Sequence, residues 1–301
     1  MDINWIAVDW GTSNLRAWAI GDNGPLAEAT SDDGMGRLKP AEFEAALLRL
    51  ITPWLTRPNT HVVACGMVGA RQGWREAAYR AVPCTPVDAA AALHVPTDPR
   101  ITLHIAPGLS QDQPADVMRG EETQVAGVLA LYPGFDGVIC APGTHSKWMQ
   151  ISAGEVVSFQ TYMTGELFAL ISAQSVLRHS MAVNGAESWD DASFDGGLAD
   201  ALSRPDRFAA QLFSLRAEFL LHAMTPAQAR ARLSGLLIGI ELAGAKPYWL
   251  GQTVVLVGSA SLSRNYAKAL QSQGLGPEIL DATACTLAGL SSLHAQLKAS
   301  Q

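Results

Sequence analysis

A pattern of apolar strand, Gly-Thr turn and second strand occurs twice in the sequence. The first copy begins with Trp5–Val8, turns at Gly11–Asn14 and continues into a second apolar segment. In the second copy, the turn Pro142–Ser146 separates the apolar segments 137–141 and 147–151. Short apolar segments that contain β-branched residues and flank a polar turn are typical of β-hairpins. The duplication predicts two α/β domains that each begin with a hairpin.

An acidic residue, Asp9, ends the strand before the first turn. Backbone N–H groups and hydroxyls that converge at a hairpin tip suit a phosphate anion, and an acid at the strand end could hold its Mg²⁺. An ordinary hairpin turn has the same composition. The first turn therefore leaves a phosphate site and a plain turn both open.

The composition and net charge of the chain exclude several classes of partner and binding site. The chain has 301 residues, of which 48% are hydrophobic, enough for the cores of two domains. A formal net charge of −7 argues against a nucleic-acid partner. The four cysteines are far apart, which predicts reduced thiols rather than a zinc site or disulfides. The most apolar run, Leu233 to Ala243, is interrupted by Glu241 and is too short to span a membrane, so we expect a cytoplasmic protein without a membrane partner.

Three further segments bear on function. The apolar strand 61–65 leads into Gly66–Glu76, a glycine-rich loop that contains two arginines. Loops that follow a strand end often contact ligands, so this loop is a candidate binding segment. A plain connector with solvated arginines would have the same composition. A predicted helix begins with Glu121 and Glu122, and two acids in a first turn also stabilise a helix dipole. A polar loop is predicted over 184–197. The sequence lacks the Walker A, G-x-S-x-G and H-E-x-x-H motifs.

Together these stretches resemble the 2-dehydro-3-deoxygalactonokinases of the sugar-kinase, Hsp70 and actin superfamily. The D-x-G-T-S-N-x-R motif is shared across the superfamily, whereas G-M-x-G-x-R-Q-G-W and P-G-T-H-S-K-W are more specific to this family. The resemblance extends along nearly the whole chain and is carried by five stretches: Asp9–Arg16, Gly66–Trp74, Arg119–Gln124, Ala141–Trp148 and Phe159–Glu166.

The resemblance implies an α/β fold of two ribonuclease-H-like domains with ATP in the cleft between them. Residues 1–132 would form a domain that binds a sugar acid, and the C-terminal helix 286–301 would pack back on it. Residues 133–285 would form the nucleotide-binding domain. The small-molecule partners would be the sugar acid and ATP, and a homodimer is compatible with the resemblance.

The implied reaction is ATP-dependent phosphorylation of 2-dehydro-3-deoxy-D-galactonate at its C6 hydroxyl, in galactonate catabolism, with ATP and Mg²⁺ as cofactors. Two alternatives remain open. A phosphatase or ATPase of the same superfamily would use an acid to activate water. A sugar-acid sensor on the same fold would bind without catalysis.

Site residues are carried over from the resemblance position by position. Asp9 would hold Mg²⁺, and Glu121 or Glu122 would be the general base. Arg16 or Arg71 would bind the substrate carboxylate. Residues implied to contact the phosphates are Gly11, Thr12, Ser13, Gly143 and Thr144; those at the adenosine turn are Gly258 and Ser259; further sugar-acid contacts are Gly34, Met35, Met67, Gln72 and Trp74.

Overall fold

The protein divides into two units of α/β structure. A computed structural model describes residues 2–182 and 189–300. The first unit comprises Met1–Asp136, Ile151–Ser158 and Asp281–Gln301, and the second comprises Gly137–Gln150 and Phe159–Leu280. Within the first unit, Val156 exchanges two backbone hydrogen bonds with Cys84.

Strands predominate in the first half of the described chain and helices in the second half. The strands are β1 (Trp5–Trp10), β2 (Leu15–Gly21), β3 (Gly24–Ser31), β4 (Thr60–Gly66), β5 (Tyr79–Ala81), β6 (Leu93–Val95), β7 (Ile101–Ile105), β8 (Gly108–Gln111), β9 (Asp116–Met118), β10 (Gly137–Ala141), β11 (Ser146–Ser152), β12 (Glu155–Tyr162), β13 (Val254–Gly258) and β14 (Glu278–Asp281). The α-helices are α1 (Phe43–Ile51), α2 (Glu121–Leu131), α3 (Thr164–Gln174), α4 (Asp191–Ser203), α5 (Phe208–Leu221), α6 (Pro226–Gly244), α7 (Lys246–Trp249), α8 (Ala260–Gln271) and α9 (Ala282–Ala299).

The first unit is built on a six-stranded sheet in the order β3-β2-β1-β4-β7-β6. Strands β1, β2 and β3 form an antiparallel meander, whereas β4 and β7 run parallel to β1. Most residues of β1 and β4 are buried, as expected for central strands covered on both faces. In the parallel pair Asp9 lies opposite Cys65, so the carboxyl ends of both strands meet at one edge of the sheet.

A five-stranded sheet, most of whose residues belong to the second unit, repeats this arrangement. Its order is β12-β11-β10-β13-β14, and β13 runs parallel to β10. Counted from its first strand, it has the same 3-2-1-4-5 order as β3-β2-β1-β4-β7, which is the ribonuclease-H-like arrangement. The predicted fold class and both predicted hairpins are confirmed.

Helix α9 packs closely against α2 within the first unit. A Cβ placed on Gly127 of α2 would lie 1.8 Å from the carbonyl oxygen of Cys285. One placed on Gly289 of α9 would lie 1.9 Å from the carbonyl oxygen of Thr123. The two helices therefore touch backbone to backbone, and only glycine fits at these two positions.

Helix α6 is buried along most of its length. Its 19 residues are capped by Thr225, whose hydroxyl accepts a hydrogen bond from the N–H of Gln228. Glu241 is buried in the same helix, among residues such as Leu237 and Leu242. Within residues 2–182 and 189–300, no helix is both long enough and apolar enough to cross a membrane.

Two parts of the fold differ from the sequence prediction. The prediction of a polar loop over 184–197 is wrong in its last part, because α4 already begins at Asp191. The first part of the predicted loop, 184–188, lies outside the described residues. Asp190 caps α4 by accepting the N–H of Ser193, and Phe194 is buried against α6. The three-stranded sheet β5-β8-β9 was also not predicted, because strands of three or four residues give little periodicity.

Candidate active site

Asp9 is the carboxylate at the edge of the first unit's sheet. Arg16, its neighbour across the hairpin, donates Nη2–H to Asp9 Oδ2 and Nη1–H to Thr283 Oγ, the latter over 3.3 Å. The thiol of Cys65 lies 4.0 Å from Asp9 Oδ1. The Asp9 side chain keeps 20% of its surface exposed. The structure thus presents one oriented, accessible carboxylate at the strand end, and Arg16 is engaged in orienting it.

The tip of the first hairpin is held by the segment 34–36. Met35 N–H donates to the carbonyl of Gly11 over 3.0 Å, and Gly36 N–H donates to that of Thr12 over 2.9 Å. A Cβ on Gly34 would lie 2.2 Å from the backbone carbon of Ser13, so only glycine fits there. The structure therefore brings together five residues that the sequence assigned to the site: Gly11, Thr12, Ser13, Gly34 and Met35.

The loop after β4 contains one buried aromatic residue, Trp74, and an exposed segment with Arg71 and Gln72. Trp74 is 7% exposed, and its ring packs against those of Trp10 and Phe43 at centroid distances of 6.1 and 6.2 Å. Met67 is partly buried in the 3-10 turn that begins the loop. Arg71 and Gln72 are exposed, and Arg71 makes no hydrogen bond or ion pair with another residue in the described ranges. Trp74 thus fixes a loop whose surface carries an available cation.

The two acids at the start of α2 have different environments. Glu122 is fully buried; Oε2 accepts the N–H of Gly120 over 2.7 Å and Oε1 accepts the hydroxyl of Thr123 over 3.2 Å. Burial, and secondarily the neighbouring charge of Glu121, raises the pKa of Glu122 to about 8. Glu121 is partly exposed. At neutral pH, Glu122 is therefore mostly protonated and inward-facing, which distinguishes the two acids chemically.

Arg119 connects the start of α2 to the segment that follows the arginine-containing loop. Its guanidinium is buried, donates Nη2–H to the carbonyl of Ala77 over 2.7 Å and lies over the ring of Tyr79 at 4.4 Å. Arg119 lies in the motif Arg119–Gln124, but no role was predicted for it. A charged residue directly before Gly120 and the acid pair was the available signal.

The second unit contains a cavity of about 940 Å³. This volume is typical of ligand sites, and Arg230 is the sole charged side chain among its described lining residues. The cavity brings Gly143 and Thr144 of the second hairpin together with Ser259, which directly follows Gly258. Its apolar lining includes Phe168, Trp189, Leu237, Ile238 and Leu262.

The start of α3 lies directly against the second hairpin turn. A Cβ on Gly165 would lie 2.3 Å from the carbonyl oxygen of Gly143, so glycine is required for this approach. The N–H of Glu166 donates to the carbonyl of Thr144 over 2.9 Å, and the carboxylate of Glu166 lies 2.5 Å from Nε2 of His145. The first residues of α3 therefore hold the second hairpin turn in place.

Helix α8 begins beside the same turn. Ser259 is its N-cap residue, and its carbonyl accepts the N–H of Ser263 over 2.9 Å. A Cβ on Gly258 would lie 3.3 Å from the carbonyl oxygen of Pro142, which places the two turns side by side. The partial positive charge of a helix N-terminus favours an anion nearby. Glycine turns, a helix start and an apolar wall thus surround one cavity.

A comparison with protein families identifies the chain. The model of the 2-keto-3-deoxy-galactonokinase family matches residues 9–293. The chain belongs to this family. It is therefore a carbohydrate kinase, and the predicted family is confirmed.

Named relatives of this kinase cover almost its whole length. A probable 2-dehydro-3-deoxygalactonokinase of Rhizobium meliloti (strain 1021) is 40% identical over 292 residues, covering 95% of each chain. A 2-dehydro-3-deoxygalactonokinase of Escherichia coli (strain K12) is 37% identical over 279 residues, covering 91% of each. A crystal structure of a Sinorhizobium meliloti protein named as a candidate 2-dehydro-3-deoxygalactonokinase is 40% identical in sequence and has a TM-score of 0.89. The match covers 96% of this chain and 97% of that one.

Proposed function

We propose that this kinase transfers the γ-phosphoryl group of ATP to the C6 hydroxyl of 2-dehydro-3-deoxy-D-galactonate, in galactonate catabolism. The observation that carries the proposal is the cavity of the second unit, found in a member of a family named for this substrate. ATP as co-substrate implies a cytoplasmic location. Each unit supplies a different part of the chemistry.

The second unit fits a nucleotide. The apolar wall that includes Phe168 and Leu262 suits a purine ring, which gains free energy by leaving water. The Gly143–Thr144 turn and the start of α8 offer N–H groups and a partial positive charge, which suit phosphate oxygens. We therefore assign Gly143, Thr144, Gly258 and Ser259 to ATP.

The first unit supplies a carboxylate that fits Mg²⁺. Mg²⁺ is commonly held by one or two carboxylates together with phosphates and water, and Asp9 is one oriented, partly exposed carboxylate. Within the described ranges, no group of three or more His, Cys, Asp or Glu side chains could hold a metal ion by itself. When bound, Mg²⁺ would neutralise phosphate charge. We assign it to Asp9, beside Gly11, Thr12 and Ser13.

The first unit would also bind the sugar acid. Glu121, partly exposed at the start of α2, would accept the C6 hydroxyl proton. Residues 34–36 and the loop after β4 would contact the sugar-acid chain, through Gly34, Met35, Met67 and Gln72. The buried Trp74 would act by fixing that loop.

A coupled ADP-release assay over several 2-dehydro-3-deoxy sugar acids tests the function. We expect Mg²⁺-dependent ADP release with 2-dehydro-3-deoxy-D-galactonate, and none with its 6-deoxy analogue, which lacks the accepting hydroxyl. ADP release at the same rate without any sugar acid would favour the phosphatase or ATPase alternative. Binding of the sugar acid without turnover would favour the sensor.

Replacing Arg71 with alanine should raise KM for the sugar acid about tenfold or more, because a hydrogen-bonded charge pair to the substrate carboxylate is lost. Arg71 is exposed without a partner among the described residues, whereas Arg16 is paired with Asp9. KM for ATP should change little. Initial rates measured over a matrix of both substrate concentrations give both constants.

Arg75→Ala is the matched control, since Arg75 is an exposed arginine of the same segment with no assigned role. It should leave both KM values unchanged. Equal increases in the two KM values of Arg71→Ala would indicate a general defect and contradict this role. An unchanged KM for the sugar acid would exclude Arg71 as its cation.

A further inference from the structure

A buried carboxylate lies beneath the cavity of the second unit. Glu241 is 1% exposed and accepts hydrogen bonds from Trp148 Nε1 over 2.8 Å, from the hydroxyl of Tyr266 over 2.6 Å and from the hydroxyl of Thr164. These three donors are neutral groups, an indole N–H and two hydroxyls. Burial raises the pKa of Glu241, and hydrogen bonds from all three donors offset the cost of burying its carboxyl group.

One route leads from Glu241 to the hairpin turn through the start of α3. Thr164, which donates to Glu241, is the first residue of that helix. The next residue, Gly165, lies against the carbonyl of Gly143, and the N–H of Glu166 holds the carbonyl of Thr144. The hydroxyl–carboxylate bond therefore fixes the part of α3 that supports the turn.

A second route leads to the same turn through hydroxyl groups. The single hydroxyl proton of Tyr266 is donated to Glu241, so Ser146 donates to Tyr266 over 2.7 Å. Ser146 in turn accepts the N–H of Gly143 over 3.5 Å. The chain runs from Gly143 through two hydroxyls to the carboxyl group of Glu241, and hydrogen bonds in such a series polarise one another.

We propose that Glu241 is the positioning residue of the nucleotide site, holding the Gly143–Thr144 turn and the start of α3 in the geometry that receives the ATP phosphates. The two routes are independent in sequence and end on one carboxylate. Groups held in place before the ligand arrives need no reorganisation when it binds. This role rests on the proposed function, because it assumes that the cavity binds a nucleotide.

Calorimetric titration with the ATP analogue AMPPNP tests the role. Glu241→Gln keeps the size of the side chain but cannot accept all three donors, and we expect it to raise the Kd for AMPPNP at least about tenfold. KM for ATP should rise in parallel, while KM for the sugar acid stays near the wild-type value. A purely structural defect would not separate the two substrates.

Thr164 gives a second pair of variants if Glu241→Gln does not fold. Thr164→Val removes the hydroxyl at constant shape and should raise the Kd for AMPPNP, whereas Thr164→Ser should restore most of the lost affinity. Trp249→Phe is the control, because it removes a buried hydrogen bond from Trp249 Nε1 to the carbonyl of Leu242, close to Glu241 in sequence. It should lower the melting temperature without changing the Kd.

Three results would overturn the role. They are a wild-type Kd in Glu241→Gln, equal affinities in Thr164→Val and Thr164→Ser, or an equally large Kd change in Trp249→Phe. A wild-type protein that fails to bind AMPPNP would contradict the proposed nucleotide site itself. That result is distinct from the first three, in which the wild-type protein binds normally.

Discussion

Asp9→Asn should abolish Mg²⁺-dependent turnover of ATP while the protein stays folded. Asparagine has the size of aspartate and can still accept the hydrogen bond from Arg16, but it lacks the charge that a hard divalent cation requires. We expect kcat/KM to fall at least about a hundredfold, equivalent to about 2.7 kcal/mol of transition-state stabilisation. Coupled ADP-release rates over a series of Mg²⁺ concentrations provide the measurement.

Asp22→Asn is the matched control. Asp22 follows the opposite end of β2, where its carboxylate accepts a hydrogen bond from Asn4 on the exposed surface. That variant should keep wild-type kinetics. Near-native rates of Asp9→Asn at saturating Mg²⁺ would show that the first hairpin does not organise the metal.

Glu121→Gln should lower kcat by about two orders of magnitude or more, with KM for ATP little changed, because it removes the proposed general base. A base that works near neutral pH must be ionised and must reach the substrate hydroxyl. Glu122 does not meet the first condition, because its pKa is raised to about 8 and it is mostly protonated at neutral pH. It does not meet the second, because it is buried and both of its carboxyl oxygens already accept hydrogen bonds. Adjacent helical side chains point about 100° apart, so one acid at most faces the hydroxyl.

Glu122→Gln is the comparison variant and should retain much more activity than Glu121→Gln. The reverse order of activities would assign the base to Glu122. Two fully active variants would place the base elsewhere in the protein. Steady-state kinetics of both variants with both substrates varied distinguish these outcomes.

The same variants should differ in how pH affects stability. Between pH 4.5 and about 8, Glu122 holds a proton in the folded protein but is ionised when unfolded. The contribution of Glu122 to the free energy of unfolding therefore decreases as pH rises through this range. Glu122→Gln should remove this decrease in a series of thermal melts, whereas Glu121→Gln should keep it. An unchanged slope in Glu122→Gln would contradict the assigned protonation.

The sequence predicts the fold well where local pattern and tertiary structure agree. The hairpins of Asp9 and Gly143 were predictable because apolar strands flank short polar turns. The start of α4 was not predicted, because Asp190 stands in a stretch whose polar residues and glycines are typical of a loop. The structure shows that Asp190 caps the helix by accepting the N–H of Ser193. That boundary is set by a local hydrogen bond between residues three apart in the chain, within a stretch of polar composition.

The candidate sites show the same limit. Motif residues such as Gly143 and Ser259 could be carried over because they lie in short contiguous stretches. Glu241 could not be connected with them, because its partners Trp148, Thr164 and Tyr266 come from three separate elements. The one visible signal was a single charge inside an apolar helical run, which by itself argues only against a membrane span.

The packing of α9 on α2 has a consequence for biosynthesis. Gly127 and its partner Cys285 both belong to the first unit, yet the whole of the second unit stands between them in the chain. Domains usually fold in the order in which they emerge from the ribosome. In this kinase the second unit is therefore synthesised in full before the first can be completed, and until then the side of α2 that contacts α9 stays uncovered.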